Sequence, residues 1–336
     1  MSALQQSVPP PDADRIIAET DAAVGRIKAA REAIGKVIYG QSQVVERALI
    51  TMLSGGHGLL IGVPGLAKTK LVETLGAVFG LTAHRVQFTP DLMPSDILGS
   101  EVMDIANDGS RSFRFVQGPV FTQLLMADEI NRASPRTQSA LLQAMQEHHV
   151  TVAGSRHDLP APFHVLATQN PLEQEGTYPL PEAQLDRFLL QIDVLYPDRD
   201  AERRMLFETT GASETHADQV LHAEGVRAIQ QLVRRMPVGE SVVEAILNLV
   251  RAARPDNADA KLAAAIAWGP GPRASQALML ACRARALIDG RYAPSLDDVI
   301  ALAEPVLQHR MALSFAARAD GVTVRDVIAE LKAKIS

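Results

Sequence analysis

Five short apolar runs recur between residues 59 and 194, each too short to form a helix, and helical patterns separate them. Parallel strands must be joined by crossover connections, which are usually helices, so this alternation is typical of a buried parallel sheet. The sequence therefore predicts an α/β fold with a doubly wound, parallel, five-stranded sheet. The runs are Leu59–Ile61, Arg85–Phe88, Leu124–Ala127, Phe163–Ala167 and Phe188–Val194.

The charge balance and the single cysteine narrow the class of protein. The 336 residues suffice for two domains at roughly 150 residues each. A formal net charge of -6 is unfavourable for gripping nucleic-acid phosphates, so we do not expect a nucleic-acid partner. Cys282 alone can form no internal disulfide, and the sequence shows neither a signal peptide nor an apolar run of about 18 residues. We expect a cytoplasmic protein without direct membrane insertion.

The chain divides into three predicted regions. Residues 1–11 end in three prolines, which disfavour helix and strand, so we expect a mobile tail. Residues 12–196 contain the strand-like runs, and the helical pattern of residues 197–336 predicts an all-helical second domain. Two stretches of the first domain, 103–116 and 150–165, show strand-like runs around turn-forming residues and predict two inserted β-hairpins.

A glycine-rich loop follows the first apolar run and opens a helical pattern. Such a loop turns its backbone N–H groups inwards and the helix N-terminus adds a positive dipole, which suits phosphate binding. The lysine can reach terminal phosphates, and the threonine hydroxyl can bind Mg²⁺. Alanine stands at position 67, where the usual pattern has glycine, and a glycine-rich turn with a chance lysine is the alternative. The loop consists of Gly62, Val63, Pro64, Gly65, Leu66, Ala67, Lys68 and Thr69.

Two acids, Asp128 and Glu129, end the third apolar run. At the carboxyl end of a buried strand, Asp128 can hold Mg²⁺ together with Thr69, while Glu129 can polarise an attacking water. Taken alone, the two acids could instead begin a solvated loop. In combination with the phosphate loop, they predict that a nucleotide is hydrolysed as well as bound.

Six motifs follow one another in a defined order along the chain. They are Gly40-Gln41, the phosphate loop, Arg85 to Asp96, Asp128 to Ala133, Ala167 to Pro171 and Leu185 to Phe188. This order closely resembles that of the MoxR family of AAA+ ATPases, in which alanine is also familiar at the position of Ala67. The resemblance extends from about residue 34 to the C-terminus. It implies an AAA+ core with a C-terminal helical lid, ATP and Mg²⁺ as ligands, and a homo-oligomeric ring, with a hexamer as the expected size.

The resemblance assigns roles to one asparagine and two arginines. Asn170 would be sensor 1 and orient the attacking water, although an asparagine before proline often only begins a turn. Arg187 would be an arginine finger that reaches the nucleotide of the neighbouring subunit. Its alternative is a surface ion pair with Asp186 or Glu182. Arg273 would be sensor 2, carried by the lid to the γ-phosphate of the same subunit; the alternative is an arginine that points into solvent.

Three further assignments follow from the same resemblance. Gly40, with Ile38 and Tyr39, matches the segment that lies near adenine, and Arg132 is a candidate for an intersubunit contact. The two predicted hairpins match inserts that face the central channel or a partner in related rings. Packing of both hairpins on the sheet surface is the alternative.

These residues predict a Mg²⁺-dependent ATP hydrolase that works as a ring-forming, chaperone-like remodeller or activator of protein clients. By resemblance alone, the client is reached together with a von Willebrand A-domain protein. Two alternatives belong to other classes: a nucleic-acid-dependent motor ATPase, and a nucleotide-gated binding module in which hydrolysis is incidental. The acidic balance and the lack of a basic, aromatic-rich run argue against the motor.

Overall fold

A computed structural model describes residues 13–105, 107–108, 110–173, 176–210 and 215–335. The predicted mobile tail, residues 1–11, lies outside these ranges. Within them, no helix combines the length and the apolar character needed to cross a membrane.

The first part of the chain forms an α/β unit that begins with two helices and then alternates strands with helices. A 3₁₀ turn, Ile130–Arg132, follows the fifth strand. The elements are α1 (Ala13–Gly35), α2 (Ser42–Leu53), β1 (Gly58–Ile61), α3 (Lys68–Phe79), β2 (Ala83–Gln87), α4 (Pro94–Leu98), β3 (Gly99–Ile105), β4 (Arg111–Gln117), β5 (Leu124–Asp128), α5 (Pro135–Glu147), β6 (His149–Val152), β7 (Ser155–Asp158), β8 (His164–Gln169), α6 (Glu182–Leu185) and β9 (Leu190–Asp193).

Five of these strands form one sheet in the order β2-β5-β8-β1-β9. Every neighbouring pair is parallel. The prediction of a doubly wound, five-stranded parallel sheet is therefore confirmed. Since all five strands point the same way, their C-terminal ends share one edge, here called the carboxyl edge, and their N-terminal ends share the opposite amino edge.

Helices cover both faces of the sheet, because successive strand residues point to opposite sides. Leu124 and Met126 of β5 pack in an apolar cluster with α1, α2, α3 and helices of the second domain. Leu125 and Ala127 of the same strand pack in a second cluster with α4 and α5. A strand buried on both faces must be apolar at every position, and β5 satisfies this as far as its final aspartate.

Two antiparallel hairpins stand outside this sheet, as predicted. The first pairs β3 with β4 and exposes Met103, Ile105 and Phe113 on one face. The second pairs β6 with β7 and ends at Asp158, earlier than the predicted end at residue 165. The prolines between β7 and β8 cannot donate to a strand ladder, so the pairing stops there and residue 165 belongs to the core strand β8.

The two hairpins are joined by a ring contact. Phe115 of β4 stacks on His157 of β7 with 3.9 Å between ring centroids and 20° between ring planes. Phe115 also contacts Phe121 edge-on at 5.6 Å. This aromatic residue is thus a bridge between the hairpins, whereas Phe113, two residues earlier, is 70% exposed.

The second part of the chain is helical, as predicted, with one difference. Ile266 pairs with Leu313 in a short antiparallel ribbon, so the domain is not all-helical. Strands of three and two residues are too short to give an alternating pattern in the sequence. The elements are α7 (Arg199–Thr209), α8 (Ala223–Arg235), α9 (Glu240–Ala252), α10 (Ala260–Ala265), β10 (Ile266–Trp268), α11 (Pro272–Ile288), α12 (Leu296–Leu307), β11 (Ala312–Leu313), α13 (Phe315–Ala319) and α14 (Val324–Ala333).

Two buried histidines connect β1 and β8 at the amino edge. His57 lies just before β1; its Nδ1 accepts from the backbone N–H of Val165 at 3.0 Å, so its Nε2 donates to the carbonyl of Met145 at 3.1 Å. His164 donates from Nδ1 to the carbonyl of Gly56 at 2.8 Å. Burial lowers the pKa of His57 to about 3 and that of His164 to about 4, so both rings are neutral near pH 7.

We expect His164 to make the stability of the fold sensitive to mild acid. Between pH 7 and 5 the unfolded chain binds a proton at this ring and the folded chain does not, which favours unfolding as the pH falls. His164 should therefore lower the unfolding free energy of the wild type by about 2 kcal/mol between pH 7 and pH 5. In the His164→Asn variant this decrease should be absent. Urea unfolding at both pH values measures this difference. His216→Asn, at an exposed position, is the control, and equal pH dependence of H164N and wild type would contradict the prediction.

Candidate active site

The predicted phosphate loop joins β1 to α3 at the carboxyl edge. Gly65 and Ala67 both have left-handed backbones, with φ of +84° and +55°. This explains why glycine is usual where Ala67 stands, since only glycine adopts a positive φ without steric cost. Gly62 is needed for a different reason: a Cβ at this position would lie 2.7 Å from the carbonyl oxygen of Val194.

Lys68 extends along the inside of the loop. Its Nζ donates to the carbonyl oxygens of Gly62 at 2.5 Å and Val63 at 3.0 Å. Burial lowers the pKa of Lys68, while the nearby carboxylates of Asp128 and Glu129 raise it. The loop therefore holds an amine between backbone carbonyls and two acids, in the place where a phosphate group would need a cation.

Asp128 ends β5 and is held from two sides. Its Oδ1 accepts from the hydroxyl of Thr168 on β8 at 2.5 Å. Its Oδ2 accepts from Arg85 on β2, from Nη2 at 2.6 Å and from Nε at 3.1 Å. Because β5 lies between β2 and β8, the neighbouring strands fix this carboxylate at the carboxyl edge.

Glu129 occupies a strained position directly after β5. Its φ is +54°, which is uncommon for a non-glycine residue, and its backbone N–H donates to the hydroxyl of Thr168 at 2.8 Å. Its side-chain Oε2 accepts from Gln87 at 2.7 Å and from Arg132 at 2.9 Å. Arg132, the candidate for an intersubunit contact, thus pairs with an acid of its own chain.

Asn170 lies directly after β8 and is buried. Its Oδ1 accepts from the backbone N–H of Leu172 at 3.1 Å, which closes a local turn. The strand order places β8 between β5 and β1, so Asn170 lies at the same edge as the acids and the phosphate loop. The structure therefore combines the predicted position with the turn that was its alternative, and the role of Asn170 in orienting water stays a prediction.

Gly40 lies where the beginning of α2 approaches α7. Its φ is +68°, and a Cβ at this position would overlap with that of Ala201 in α7. The next residue, Gln41, donates from Nε2 to the carbonyl of Leu66 in the phosphate loop at 3.3 Å. The Gly40-Gln41 pair thus connects the loop to the first helix after the sheet, while contact with a base stays a prediction.

Arg187 and Arg273 lie together at the amino edge. Arg187 comes just before β9. Arg273 is the second residue of α11, and its Nη1 lies 3.9 Å from a carboxylate oxygen of Asp186. Burial and then the charge of Arg273 lower the pKa of Arg187, while Glu147 raises it. Both arginines line a surface cavity of about 260 Å³. Its other lining residues include His57, Gln146, His148 and Gln276.

The position of Arg273 corrects one prediction. Arg273 shares its cavity with residues that precede β1, whereas the phosphate loop follows β1, so the length of the strand separates them. For four residues this is roughly 13 Å. The structure therefore does not bring Arg273 to the γ-phosphate site of its own chain. Helix α11 of the lid begins at the amino edge, beside Asp186 and Arg187, because of how the lid packs on the sheet, and no local sequence pattern indicates that packing.

Three residues at the carboxyl edge received no role from sequence reasoning. Arg85 and Gln87, two positions apart on β2, share one face of the strand and reach Asp128 and Glu129. Thr168 links both acids from β8. Polar residues at alternate positions of β2 were a usable signal, because side chains on one face of a strand lie next to those on the same face of the neighbouring strand, here beside Asp128 at the end of β5.

Comparisons with known proteins agree with this geometry. Residues 57–190 match the model of the ATPase family associated with various cellular activities (AAA), and residues 259–331 match that of the AAA lid domain. The chain is 42% identical to Chaperone MoxR1 of Mycobacterium tuberculosis, covering 95% of this chain and 83% of that protein. It is 33% identical to Protein MoxR of Paracoccus denitrificans, with 86% and 89% covered. A crystal structure of a Cytophaga hutchinsonii protein, 37% identical, superposes with a TM-score of 0.87 over 95% of this chain and 97% of that one.

We expect Gly62→Ala to weaken nucleotide binding at least about tenfold, or roughly 1.4 kcal/mol. The added Cβ would press against the carbonyl of Val194, so the loop must move away from β9. Titration with a fluorescent ATP analogue measures the affinity. Gly35→Ala, at the end of α1 where a Cβ meets open space, is the matched control and should bind as wild type. Unchanged binding by G62A would show that this close contact does not shape the loop.

Proposed function

Because this chain belongs to the MoxR family of AAA+ ATPases, we propose that it hydrolyses ATP to ADP and phosphate within a ring of identical subunits. We further propose that the ring, a hexamer, uses this cycle to remodel or activate protein clients. One observation carries the proposal: the phosphate loop and the acids lie at the carboxyl edge, while Arg187 and Arg273 lie at the amino edge. Two half-sites on opposite edges of one chain can meet only between subunits.

The carboxyl edge supplies the groups that bind the nucleotide. The glycine-rich loop at the N-terminus of α3 and the amine of Lys68 suit the phosphates. Thr69 and Asp128 offer the oxygen ligands that Mg²⁺ prefers, and Asp128 is already fixed by Thr168 and Arg85. These residues fit a magnesium ion bound together with ATP, and there the ion would neutralise charge on the phosphates.

Glu129 is the group we assign to the attacking water. A carboxylate here can take the proton of the water as its oxygen attacks the γ-phosphorus, and the bond from phosphorus to the bridging oxygen of ADP breaks. Gln87 and Arg132 hold the carboxylate through hydrogen bonds of 2.7 and 2.9 Å. Asn170, at the end of the adjacent strand, would orient the same water.

The amino edge supplies the second half of the site. Nε of Arg187 is buried and has no hydrogen-bond partner within the described residues, and a second cation, Arg273, lines the same cavity. Two cations that face one cavity are suited to an anion, and the γ-phosphate of a neighbouring subunit is the anion that a ring would bring there. In this arrangement Arg273 acts on the neighbouring nucleotide and not on that of its own chain.

The client-binding part of the proposal rests on the first hairpin and on the family. Met103, Ile105 and Phe113 form an exposed apolar face on β3 and β4, which suits contact with an apolar protein segment. The relative from Mycobacterium tuberculosis is named a chaperone. A von Willebrand A-domain protein as intermediary is proposed from the family resemblance alone.

We also propose that the ring works in the cytoplasm. Its single cysteine, Cys282, is buried, so the described fold depends on no disulfide and on no oxidising compartment.

Arg187→Ala tests the division of the site between subunits. We expect ATP turnover per subunit to rise with protein concentration as rings assemble, because each site is completed by a neighbour. The variant should lose about 10³-fold in turnover, the scale on which arginine fingers act, while ATP binding stays as in wild type. Steady-state phosphate release, ATP titration and light scattering on the same samples measure turnover, affinity and mass.

The control is Arg318→Ala, which removes an exposed arginine of α13 and should leave turnover unchanged. Full activity of R187A as a monomer would remove the ring mechanism and leave a self-contained ATPase. Turnover that depends on added DNA would favour the nucleic-acid motor instead.

A further inference from the structure

Arg310 is a lid residue with an unusual environment for a charged side chain. Among the described residues, Arg310 has the largest side chain that is fully buried, with 2% of its surface exposed. It closes the short 3₁₀ turn, Gln308–Arg310, that follows α12. A buried arginine is stable only when its charge and its donors are satisfied, so its partners show what it holds in place.

All five N–H donors of this guanidinium are used. Nε donates to Oδ1 of Asp186 at 2.8 Å, and Nη1 donates to the carbonyl of Val306 in α12 at 2.6 Å and to that of Leu189 at 3.2 Å. Nη2 donates to the carbonyls of Phe188 at 2.5 Å and Asp186 at 3.3 Å. The planar fork of arginine is matched by five oxygens, which lysine could not reproduce.

Four of these five bonds go to the residues that flank Arg187. Asp186 precedes it, and Phe188 and Leu189 follow it. The adjacent lid residue His309 adds a hydrogen bond from Nε2 to the carbonyl of Phe188 at 3.0 Å. The lid therefore fixes the backbone on both sides of Arg187.

Arg310 also controls the charge beside the two arginines. The carboxylate of Asp186 lies 2.8 Å from Arg310 and 3.9 Å from Arg273. Without Arg310, this acid would be free to draw Arg273 or Arg187 into a closer ion pair. An arginine whose charge is neutralised by an acid of its own chain stabilises the negative charge of a neighbouring phosphate less strongly.

We propose that Arg310 is a positioning residue through which the lid sets the orientation and charge of Arg187 and Arg273. It touches no nucleotide itself. The inference rests on the proposed function, because it gives Arg310 an effect on the site of the neighbouring subunit and not on the phosphate loop of its own.

Mixed rings test this assignment. Arg310→Met fills the space without donors, and we expect its turnover to fall at least tenfold while ATP binding and assembly persist. Its phosphate loop and Glu129 are intact, so it should regain activity when mixed with Glu129→Gln subunits, which cannot hydrolyse but keep a competent Arg187. The mixture should exceed the summed activity of the two separate proteins at least fivefold. Mixing Arg310→Met with Arg187→Ala should give no such gain, because both lack a competent arginine.

The matched control is Arg291→Met. Arg291 is another lid arginine that binds a buried aspartate, Asp298, at 2.6 Å, and Arg285 also binds that aspartate. Its loss should lower stability without the tenfold fall in turnover. If R310M keeps wild-type turnover, or if E129Q subunits restore R187A but not R310M, the inference is wrong. If E129Q subunits fail to restore R187A itself, the proposed sharing of sites between subunits fails instead.

If R310M shows no cooperative unfolding transition and is therefore not folded, Arg310→Lys serves as the test variant in its place. The lysine keeps a positive charge beside Asp186 but loses the fork that binds the carbonyls. We expect a lower kcat with an unchanged KM for ATP, and recovery by E129Q subunits. A wild-type kcat for this variant would overturn the inference, and so would a defect confined to KM, because a change in KM alone would place the effect at the variant's own phosphate loop.

Discussion

Parallel strands place all their C-terminal ends at one edge of a sheet, and the positions of the candidate site residues that flank the strands follow from that geometry. The phosphate loop, the two acids and Asn170 lie at the C-terminal ends of β1, β5 and β8. Formation of the sheet therefore brings them to the same edge. By the same rule, residues that precede strands, such as Arg187 before β9, must lie at the far edge. The separation of these two sets of residues at opposite edges is thus a property of the sheet itself.

At the carboxyl edge, one hydroxyl group holds both acids, Asp128 and Glu129, in place. Thr168 donates to Asp128 and accepts from the backbone of Glu129, and so holds a backbone conformation that a glutamate rarely adopts. Such local strain persists only where the surroundings compensate for it. Here a hydrogen bond from the neighbouring strand does so, and it turns the Glu129 side chain towards Gln87 and Arg132.

The sequence predicted the residues that follow strands better than those that meet across the fold. The apolar runs and the glycine-rich loop are local signals, and they located the sheet, Lys68 and Asp128, while relatives confirmed the family. Arg273 is the instructive failure, because its place depends on how the lid packs, which no local pattern encodes. Four of the five hydrogen bonds of Arg310 were equally hidden, since they join residues more than a hundred positions apart.

The stacked rings of Phe115 and His157 have a mechanical consequence. They join the hairpin β3–β4 to the hairpin β6–β7. The second hairpin begins at His149, and His148 lies between it and the end of α5. His148 also lines the surface cavity that Arg187 and Arg273 share. The exposed face at Phe113 is therefore joined to the cavity at the amino edge by one stacked ring pair and a short stretch of chain. Energetic coupling between two distant surfaces is carried by contiguous packing of this kind, so the surface that would meet a client and the cavity that would meet the next subunit lie on one continuous path.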